Sequence, residues 1–177
     1  MSEPQGTVDP RAFRRLMGRW ATGVTVVTTS DGDFDAGLTV NSFLSVSLRP
    51  PLLLVSLAED TEATPVIVRT RKFAVSVLSA DQRALSERFG QAIPPAEKFR
   101  DVPIRRGELG LPLLVGATAT FECRVVEAHP AADHLLVLGE VVRAEAGDDA
   151  SPLLFFRSRY ADRRGADGLT LAPPPPP

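Results

Sequence analysis

The sequence predicts a mainly β fold, a closed or split β-barrel with peripheral helices. Several segments have strand composition, because they alternate with a period of two or form continuous β-branched runs. The helical candidates are few and short and do not alternate regularly with the strands, which argues against a doubly wound parallel sheet. A chain of 177 residues is large enough for one core. We therefore expect one domain over residues 9–165, with a flexible N-terminus at 1–8 and a flexible Pro-rich tail at 166–177.

The first predicted element is a helix that starts after Asp9. Asp9 can cap it, and Pro10 suits the first turn because a proline there loses no intrahelical hydrogen bond. Apolar side chains then recur at helical spacing, namely Phe13, Leu16, Met17 and Trp20. We expect this apolar stripe to pack on the core.

Strands and two short helices account for most of the remaining chain. Residues 31–33 predict a turn that would pair the first two strands as a hairpin. Thr64 begins one short helix, and Ser79 with Gln82 forms the capping box of another. Residues 90–112 are rich in Gly, Pro and charged side chains, which is typical of a long surface loop that serves as a lid. The predicted strands are 23–29, 36–40, 52–57, 73–78, 117–127 and 135–144.

Charge and hydropathy exclude two classes of partner. The formal net charge is −2, and no stretch is dominated by Lys and Arg, so nucleic acid is not an expected partner. No apolar run approaches the roughly 20 residues that a membrane helix needs. The first residues also lack the basic and then apolar pattern of a signal peptide. We expect a cytoplasmic protein with no membrane partner.

Absent motifs remove several common enzyme classes. The chain contains no G-x-G-x-x-G, no G-x-x-x-x-G-K-[ST] and no G-x-S-x-G, so Rossmann-type binding, P-loop hydrolysis and a nucleophile elbow have no support. The single cysteine, Cys123, excludes an internal disulfide, and with two histidines the chain is short of soft zinc ligands. We expect no metal site. Cys123 alternates with apolar neighbours and should be a small core side chain.

Hydroxyl and amide side chains gather in residues 37–51, at the end of the second predicted strand. Small polar side chains leave backbone N–H groups and hydroxyls free to meet a planar polar ligand at close range. The same composition suits an ordinary strand-to-loop transition with satisfied turn residues. The residues alone leave both interpretations open.

A long ordered series of short motifs runs from Phe13 to Tyr160. The series comprises Phe13-Arg14 with Met17, 23–28, 37–43, 45–48 with Pro50 and Pro51, 73–78, Phe89, Lys98-Phe99, Gly116-Ala117, Glu122-Cys123, Asp133-His134, 139–141 and 152–154. It resembles the short-chain flavin reductase family and covers nearly the whole predicted domain. The resemblance implies a homodimeric FMN-binding split barrel, with NADH or NADPH as hydride donor and FMN or FAD as acceptor.

The resemblance also implies where the flavin would lie. The flavin ring and ribityl chain would follow one polar wall, in which backbone donors matter as much as side chains. That wall consists of Thr39, Val40, Asn41 and Ser42, continued by Ser45, Val46 and Ser47.

The resemblance places the flavin phosphate near Thr61, where the family usually offers a hydroxyl. Acidic residues surround Thr61 in this sequence, and carboxylates repel a phosphate unless they turn away. Phe89, Lys98 and Phe99 match positions that close the flavin site. Lys98 would be the cationic contact to a phosphate, unless it is a solvated loop lysine.

His134 matches a histidine of the family that lies near the nicotinamide, the donor of the hydride. The resemblance therefore places His134 beside the nicotinamide. Taken alone, a single histidine is more often structural. Tyr160 falls where the family has an aromatic residue near the nicotinamide edge, although the local match is loose. No residue is expected to act as a catalytic acid or base, because hydride transfer asks the protein mainly for positioning.

We therefore expect an NAD(P)H-dependent flavin reductase that supplies reduced FAD or FMN to a partner flavin-dependent monooxygenase. The alternative is a non-catalytic flavin-binding split-barrel module, such as a carrier or sensor. A barrel oxidase acting on pyridoxamine phosphate ranks last, since it would need phosphate-clamping Arg and Lys residues around the flavin segment. The choices between FMN and FAD and between NADH and NADPH stay open.

Overall fold

An antiparallel sheet organises the computed structural model, which describes residues 8–147, 149–162 and 170–171. The strands are β1 (Thr22–Gly23), β2 (Thr25–Ser30), β3 (Asp35–Val40), β4 (Phe43–Leu48), β5 (Pro51–Ala58), β6 (Lys72–Val77), β7 (Ile104–Arg106), β8 (Pro112–Leu114), β9 (Ala119–Ala131), β10 (His134–Ala146), β11 (Leu154–Phe156), β12 (Arg159–Asp162) and β13 (Thr170–Leu171). Nearly all of the predicted N-terminal segment and most of the predicted flexible tail at 166–177 lie outside the described residues. The exception in the tail is 170–171, which pairs with β12 as a short strand.

The main sheet has seven strands in the order β3-β2-β6-β9-β10-β5-β4. The mainly β prediction is confirmed. The sheet is not closed, and β3 and β4 are its two ends. Between these ends the chain makes only the short turn at 41–42, so the polar segment of the sequence lies where the sheet opens. The strand β4 itself was missed, because the cluster of hydroxyl and amide side chains in 37–51 indicated a strand end followed by a loop.

The helices are short and lie outside the sheet. They are α1 (Pro10–Met17), α2 (Ala63–Thr70), α3 (Arg83–Phe89) and α4 (Pro95–Phe99), with a 3₁₀ turn at Ala80–Gln82. Two predicted caps are confirmed. Asp9 Oδ2 accepts a hydrogen bond from the Ala12 amide at 2.9 Å, and Gln82 Oε1 accepts one from the Ser79 amide at 3.2 Å. No helix in the described part of the chain is both long and apolar enough to cross a membrane.

The core lies between the sheet and α2. Val27, Val55, Phe73 and Val137 are fully buried in it. Cys123 is fully buried there too, as predicted, and burial raises the pKa of its thiol to about 12. Gly139 allows this packing, since a Cβ there would stand 2.6 Å from the Phe73 ring.

The structure contradicts the expected packing of the first helix. Phe13, Leu16, Met17 and Trp20 are 58%, 61%, 52% and 72% exposed, so the apolar stripe of α1 does not pack on the core. The helical periodicity was correct, but periodicity shows that a face is apolar and not what covers it. Strand β4 carries similarly exposed apolar side chains, with Leu44 at 58% and Leu48 at 85%.

The segment 90–112 is also not the open loop that its composition predicts. It contains α4, and β7 pairs with β8 as an antiparallel hairpin. Val102 and Leu111 are buried, at 8% and 0% exposure. The segment therefore forms secondary structure with buried side chains, while exposed residues recur along its length.

Candidate functional site

A cavity of about 620 Å³ opens at the polar end of the sheet, between β3 and β5. Its volume lies in the range of small-molecule and cofactor sites. We call it the flavin cavity, after the ligand that the sequence resemblance implies. Its walls are the turn after β3 (38–42), the end of β5, the loop before α2 (60–62), the segment 89–94, Lys98 on α4 and His134 at the start of β10. Distant parts of the chain thus converge here.

The hydroxyls at the end of β3 and in the turn after it hydrogen-bond to backbone carbonyls. Thr39 Oγ1 donates to the Ser86 carbonyl at 2.7 Å, and Ser42 Oγ donates to the Ser56 carbonyl at 2.7 Å. Because each hydroxyl donates its hydrogen to a backbone carbonyl, the two side chains fix the shape of this wall. Asn41 lies between them with an exposed side chain. The structure brings Thr39, Val40, Asn41 and Ser42 together along one side of the cavity, as the sequence predicts.

Lys98 brings a cation to the cavity from α4. Its Nζ donates to the carbonyls of Gly37 and Phe89, each at 3.3 Å, so the ammonium is held at the end of β3. Partial burial lowers the pKa of Lys98, and the nearby carboxylate of Glu62 opposes that shift. Lys98 therefore faces the cavity in a partly desolvated state and is not a freely solvated lysine.

Thr61 lies in the loop before α2 and belongs to a pair of hydroxyls. Its Oγ1 donates to the Ala58 carbonyl at 3.1 Å and lies 2.8 Å from Thr64 Oγ1, which itself donates to the Ala58 carbonyl at 2.8 Å. Asp60 and Glu62 line the cavity beside Thr61. The acidic neighbours noted in the sequence thus face the same cavity as Lys98, and with two carboxylates to one ammonium the local charge balance is negative.

His134 stands at the first position of β10, opposite Ala58 of β5. Its Nδ1 lies 2.8 Å from Asp133 Oδ1, which leaves Nε2 for a ligand. The side chain is 43% exposed. The hydrogen bond with His134 lowers the pKa of Asp133, so this carboxylate stays ionised and orients the ring.

Phe89 forms the inner wall of the cavity. It is 1% exposed, and its ring meets Phe99 edge to face with the centroids 5.0 Å apart. Phe99 lies behind Phe89 and does not line the cavity. Gly37 makes room for Phe89, because a Cβ at Gly37 would stand 2.9 Å from Phe89 Cε1.

Five of the predicted site residues lie outside this cavity, namely Phe99 and four others. Ser45, Val46 and Ser47 are on β4, where the pairing with β5 shifts register between Ser45 and Ser47. Tyr160 packs behind α3: its hydroxyl lies 2.9 Å from Ser86 Oγ and its ring 5.4 Å from the Phe155 ring. Through Ser86, Tyr160 supports Thr39 rather than the cavity itself.

Two further cavities adjoin the first along the same face. The middle cavity, of about 690 Å³, shares Asn41 and Ser42 with the flavin cavity and is lined on its other side by Trp20 and Phe155. The arginine cavity, of about 430 Å³, is lined by Arg15, Arg19 and Arg157 and shares Ser158 with the middle cavity. Sequence reasoning missed both, since their walls combine α1 with β4 or β11, which are far apart in the chain.

Comparison with known proteins places the chain in a family. The profile of the family described as "Flavin reductase like domain" matches residues 17–163. The chain belongs to this family. Among curated relatives, it is similar to the FMN reductase (NADH) SmoA of Agrobacterium fabrum, with 44% identity over 150 residues, which cover 85% of this chain and 84% of the relative. It is also similar to HsaB, the reductase subunit of a flavin-dependent monooxygenase of Mycobacterium tuberculosis, with 36% identity over 86% of this chain and 82% of the relative.

Solved structures of flavin reductases share the fold. One is the NADH:FAD oxidoreductase SgcE6 of Streptomyces globisporus in complex with NAD and FAD fragments, with a TM-score of 0.82 and 37% identity over 92% of this chain and 98% of that chain. The sequence-based recognition of the flavin reductase family is therefore confirmed.

The residues of the flavin cavity fit the cofactor that the family implies. A flavin reductase needs a slot for a flat ring, polar backbone groups along one edge and a cation for a phosphate, and the Phe89 wall, the turn 39–42 and Lys98 supply these. A bound flavin supplies the redox chemistry by accepting a hydride. The chain's own residues then only bind, orient and exclude water.

Proposed function

We propose that this protein transfers a hydride from a reduced nicotinamide dinucleotide to a flavin and releases the reduced flavin to a separate monooxygenase component. Family membership carries the flavin reductase activity. The relative HsaB, named as a reductase subunit, supports the oxygenase partner. The structural observation that supports it best is the flavin cavity. There the Lys98 ammonium, the Thr61 hydroxyl and the His134 imidazole lie around the apolar wall formed by Phe89.

In this proposal each cavity residue has a positioning role. Lys98 and Thr61 hold the phosphate end of the flavin, and the turn 39–42 borders its ring. His134 meets the nicotinamide with Nε2, since Nδ1 is held by Asp133. Phe99 and Tyr160 do not contact the flavin. Phe99 packs against Phe89, and Tyr160 hydrogen-bonds with Ser86, so both stabilise the residues around the cavity. These roles need no catalytic acid or base, because hydride transfer requires stacked rings about 3 to 3.5 Å apart in the right orientation.

The same proposal includes a homodimer. Apolar side chains are exposed on α1 and the residues that follow it, at Phe13, Leu16, Met17 and Trp20, and on β4, at Leu44, Val46 and Leu48. Met17, Trp20 and Leu44 line the middle cavity together, so the two groups are neighbours. Exposed apolar surface of this extent typically marks a protein interface. A second copy covering it would also place Ser45, Val46 and Ser47 at the contact between subunits, next to the turn 41–42 that borders the flavin cavity.

The reaction belongs in a reducing compartment, and we place it in the cytoplasm. Cys123 is a free and buried cysteine, which agrees with that environment.

Anaerobic mixing of the purified protein with FMN or FAD and either NADH or NADPH tests the activity. We expect bleaching of the flavin absorbance near its visible maximum, dependent on enzyme concentration and on a reduced nicotinamide. Flavin binding without reduction by either donor would instead identify a non-catalytic carrier or sensor.

Light scattering at the assay concentration tests the dimer, which a monomeric mass would contradict.

A further inference from the structure

Two carboxylates line the flavin cavity together with its lysine. Asp60 and Glu62 belong to the loop before α2, and both residues are exposed. Within the described residues neither carboxylate forms a salt bridge. The positive end of the α2 dipole favours a carboxylate here, but Glu62, the N-cap residue, makes no capping hydrogen bond with its side chain. With Glu59, three like charges share one short loop, and local stability does not account for them.

The lysine of the cavity is already engaged before a ligand arrives. Among the described residues that line the cavity, Lys98 is the only lysine or arginine. Its Nζ donates to the carbonyls of Gly37 and Phe89, which leaves one N–H. Burial lowers the pKa of Lys98, and the attraction of Glu62 opposes that shift, so the Glu62 carboxylate acts on this ammonium. The positive charge that an anionic ligand meets is therefore partly compensated.

The hydroxyls of the same loop are engaged as well. Thr61 Oγ1 and Thr64 Oγ1 lie 2.8 Å apart, and both are within hydrogen-bond distance of the Ala58 carbonyl. Each hydroxyl carries one hydrogen, so both hydrogens have acceptors inside the loop. Thr61 must give up one of these hydrogen bonds to donate to a phosphate, and the net gain is small. Charge therefore dominates what a phosphate contributes at this end of the cavity.

FMN and FAD place different charges at this position. The phosphate of FMN is a monoester with a second pKa of about 6, so it carries roughly −1.5 to −2 charges at neutral pH. In FAD the same phosphate is a diester with a single negative charge, and the other charge belongs to the next phosphate along the ligand. Repulsion from a fixed carboxylate grows with the charge of the ligand group and falls with distance. Two carboxylates therefore oppose FMN more strongly than FAD.

We propose that Asp60 and Glu62 select the flavin by the charge on the phosphate that Lys98 and Thr61 hold, and so favour FAD over FMN. The inference rests on the proposed function, which places the flavin phosphate at Lys98 and Thr61. Lys98 attracts either phosphate, and the two carboxylates limit the charge that the site accepts. Both acids determine specificity and take no part in hydride transfer. Riboflavin, which has no phosphate, does not respond to them.

The test uses the full-length protein with the double substitution Asp60→Asn/Glu62→Gln, which removes both charges and keeps the shapes of the side chains. The matched control is Glu59→Gln/Glu97→Gln. It removes the same charge from two exposed residues, one in the same loop and one on α4, neither of which lines the cavity. Fluorescence titrations without a nicotinamide measure dissociation constants for riboflavin, FMN and FAD. Thermal unfolding confirms that each variant folds.

The double variant should bind FMN roughly 3- to 30-fold more tightly than the unmodified protein, because two exposed charge repulsions are removed. FAD should gain by a smaller factor, and riboflavin should bind unchanged. The control should leave all three dissociation constants near their unmodified values, and added salt should reduce the gain for FMN. Equal gains for FMN and FAD, a gain for riboflavin, or values equal to those of the control would each overturn the inference.

The pH profile separates the charge of the ligand from a structural effect of the substitutions. Acidification from about pH 7.5 to about pH 5.5 removes one charge from the FMN phosphate and leaves the FAD phosphates unchanged. The charged and titratable groups that face the ligand are Asp60, Glu62, Lys98 and His134, with Asp133 bound to His134. Lys98 and His134 lie beside both flavins, so the ratio of the FMN to the FAD dissociation constant isolates the phosphate.

This ratio should fall on acidification in the unmodified protein and fall less in the double variant. The same pH response in both proteins would overturn the inference, as would a ratio that rises in the unmodified protein. These titrations do not require turnover. Flavin binding without any flavin reduction would therefore contradict the proposed function alone, whereas normal reduction with an unchanged ratio in the double variant would contradict only the role of Asp60 and Glu62.

Discussion

Lys98 is held in the flavin cavity by two backbone carbonyls and is partly removed from water. Its ammonium has one further N–H to offer, and a flavin phosphate would satisfy it. Asp60 and Glu62 line the same cavity, so the site attracts a phosphate less strongly than a purely basic pocket would. The balance between this one cation and two carboxylates should decide how much a flavin phosphate contributes to affinity.

Lys98→Gln should therefore weaken FMN binding by about 10- to 150-fold, the value of one charge-assisted hydrogen bond, and leave riboflavin nearly unaffected. Because the pKa of Lys98 is lowered, the ammonium loses its proton at a lower pH than an ordinary lysine, and FMN affinity should fall as pH rises through that range. Fluorescence titrations with FMN and riboflavin at several pH values measure both effects.

The control is Lys72→Gln, because the other lysine of the sequence donates to the Leu109 carbonyl far from the cavity. Glu62→Gln should act in the opposite direction and strengthen FMN binding. Equal losses of FMN and riboflavin in Lys98→Gln would show that Lys98 only supports the fold of the turn.

His134→Ala should impair use of the nicotinamide and leave flavin binding nearly intact. Loss of one hydrogen bond to a charged group corresponds to about 10- to 150-fold in kcat/KM for the donor. Steady-state kinetics with saturating flavin measure this value, and a flavin titration measures the binding. His129→Ala is the control, since that histidine pairs with Glu127 on the surface. A collapse of flavin affinity with unchanged donor kinetics would show that His134 has a different role.

At the residue scale, the sequence identified the parts of the site that are local. The turn 39–42, Lys98 and His134 line one cavity as their motifs indicated, although their roles there stay predictions. Tyr160 does not line this cavity, because its side chain packs behind α3 and its hydroxyl hydrogen-bonds with Ser86. That outcome depends on how the β11–β12 hairpin packs against α3, and a one-dimensional match carries no information on such packing.

At the scale of elements, β3 and α3 are fitted to each other through Gly37 and Phe89. A Cβ at Gly37 would stand 2.9 Å from Phe89 Cε1 and 3.2 Å from the Val27 carbonyl, which is backbone and cannot move aside. Phe89 must then shift, and its ring is the wall of the flavin cavity.

Gly37→Ala should consequently destabilise the protein by about 1 to 3 kcal/mol through overpacking and should weaken flavin binding as well. Urea unfolding and a flavin titration measure the two effects. Gly23→Ala provides the comparison, because nothing lies within 4 Å of a Cβ at that position. Normal flavin affinity in a destabilised Gly37→Ala variant would mean that the Phe89 wall does not contact the ligand.

The apolar surface formed by α1 and β4 belongs to the same scale. Leu48→Asp places a charge on a side chain that is 85% exposed in the single chain, so it should cost the monomer little. In a homodimer the same carboxylate would be buried, and the variant should dissociate. Light scattering of Leu48→Asp against Val68→Asp, an exposed position on α2, measures the difference. A dimer that persists in Leu48→Asp would place the interface elsewhere.

Elements were predicted more reliably than their surroundings. The hairpin of β2 and β3, the capping box at Ser79 and the mainly β class all followed from local patterns. The exposure of the apolar stripe of α1 could not be predicted from the sequence, since helical periodicity does not show which molecule covers an apolar face. The packed segment after Gly90 could not either, because its Gly, Pro and charge content concealed the buried Val102 and Leu111.

At the scale of the whole molecule, the proposed reaction ends with release of its product. In the proposed function a flavin and the nicotinamide share the flavin cavity, and the oxygenation of an organic substrate is left to another protein. Of the segment 90–112, α4 and the β7–β8 hairpin form regular structure, and exposed residues recur along its whole length. Within this segment only 90–94 and Lys98 line the flavin cavity, so the outlet is a short lip rather than a long lid.

Reduced flavin should therefore leave the enzyme, and free flavin should turn over many times. Release requires that reduced flavin bind no more tightly than oxidised flavin, because an enzyme that holds its product cannot cycle. Catalytic protein with excess FMN or FAD, a reduced nicotinamide and cytochrome c held behind a dialysis membrane measures the diffusing reductant. Cytochrome c in contact with the enzyme is the reference. Reduction that stops after one equivalent per site, with the reduced flavin still bound after anaerobic gel filtration, would instead indicate a self-contained flavoenzyme, and the lip at 90–94 would then be a closed wall.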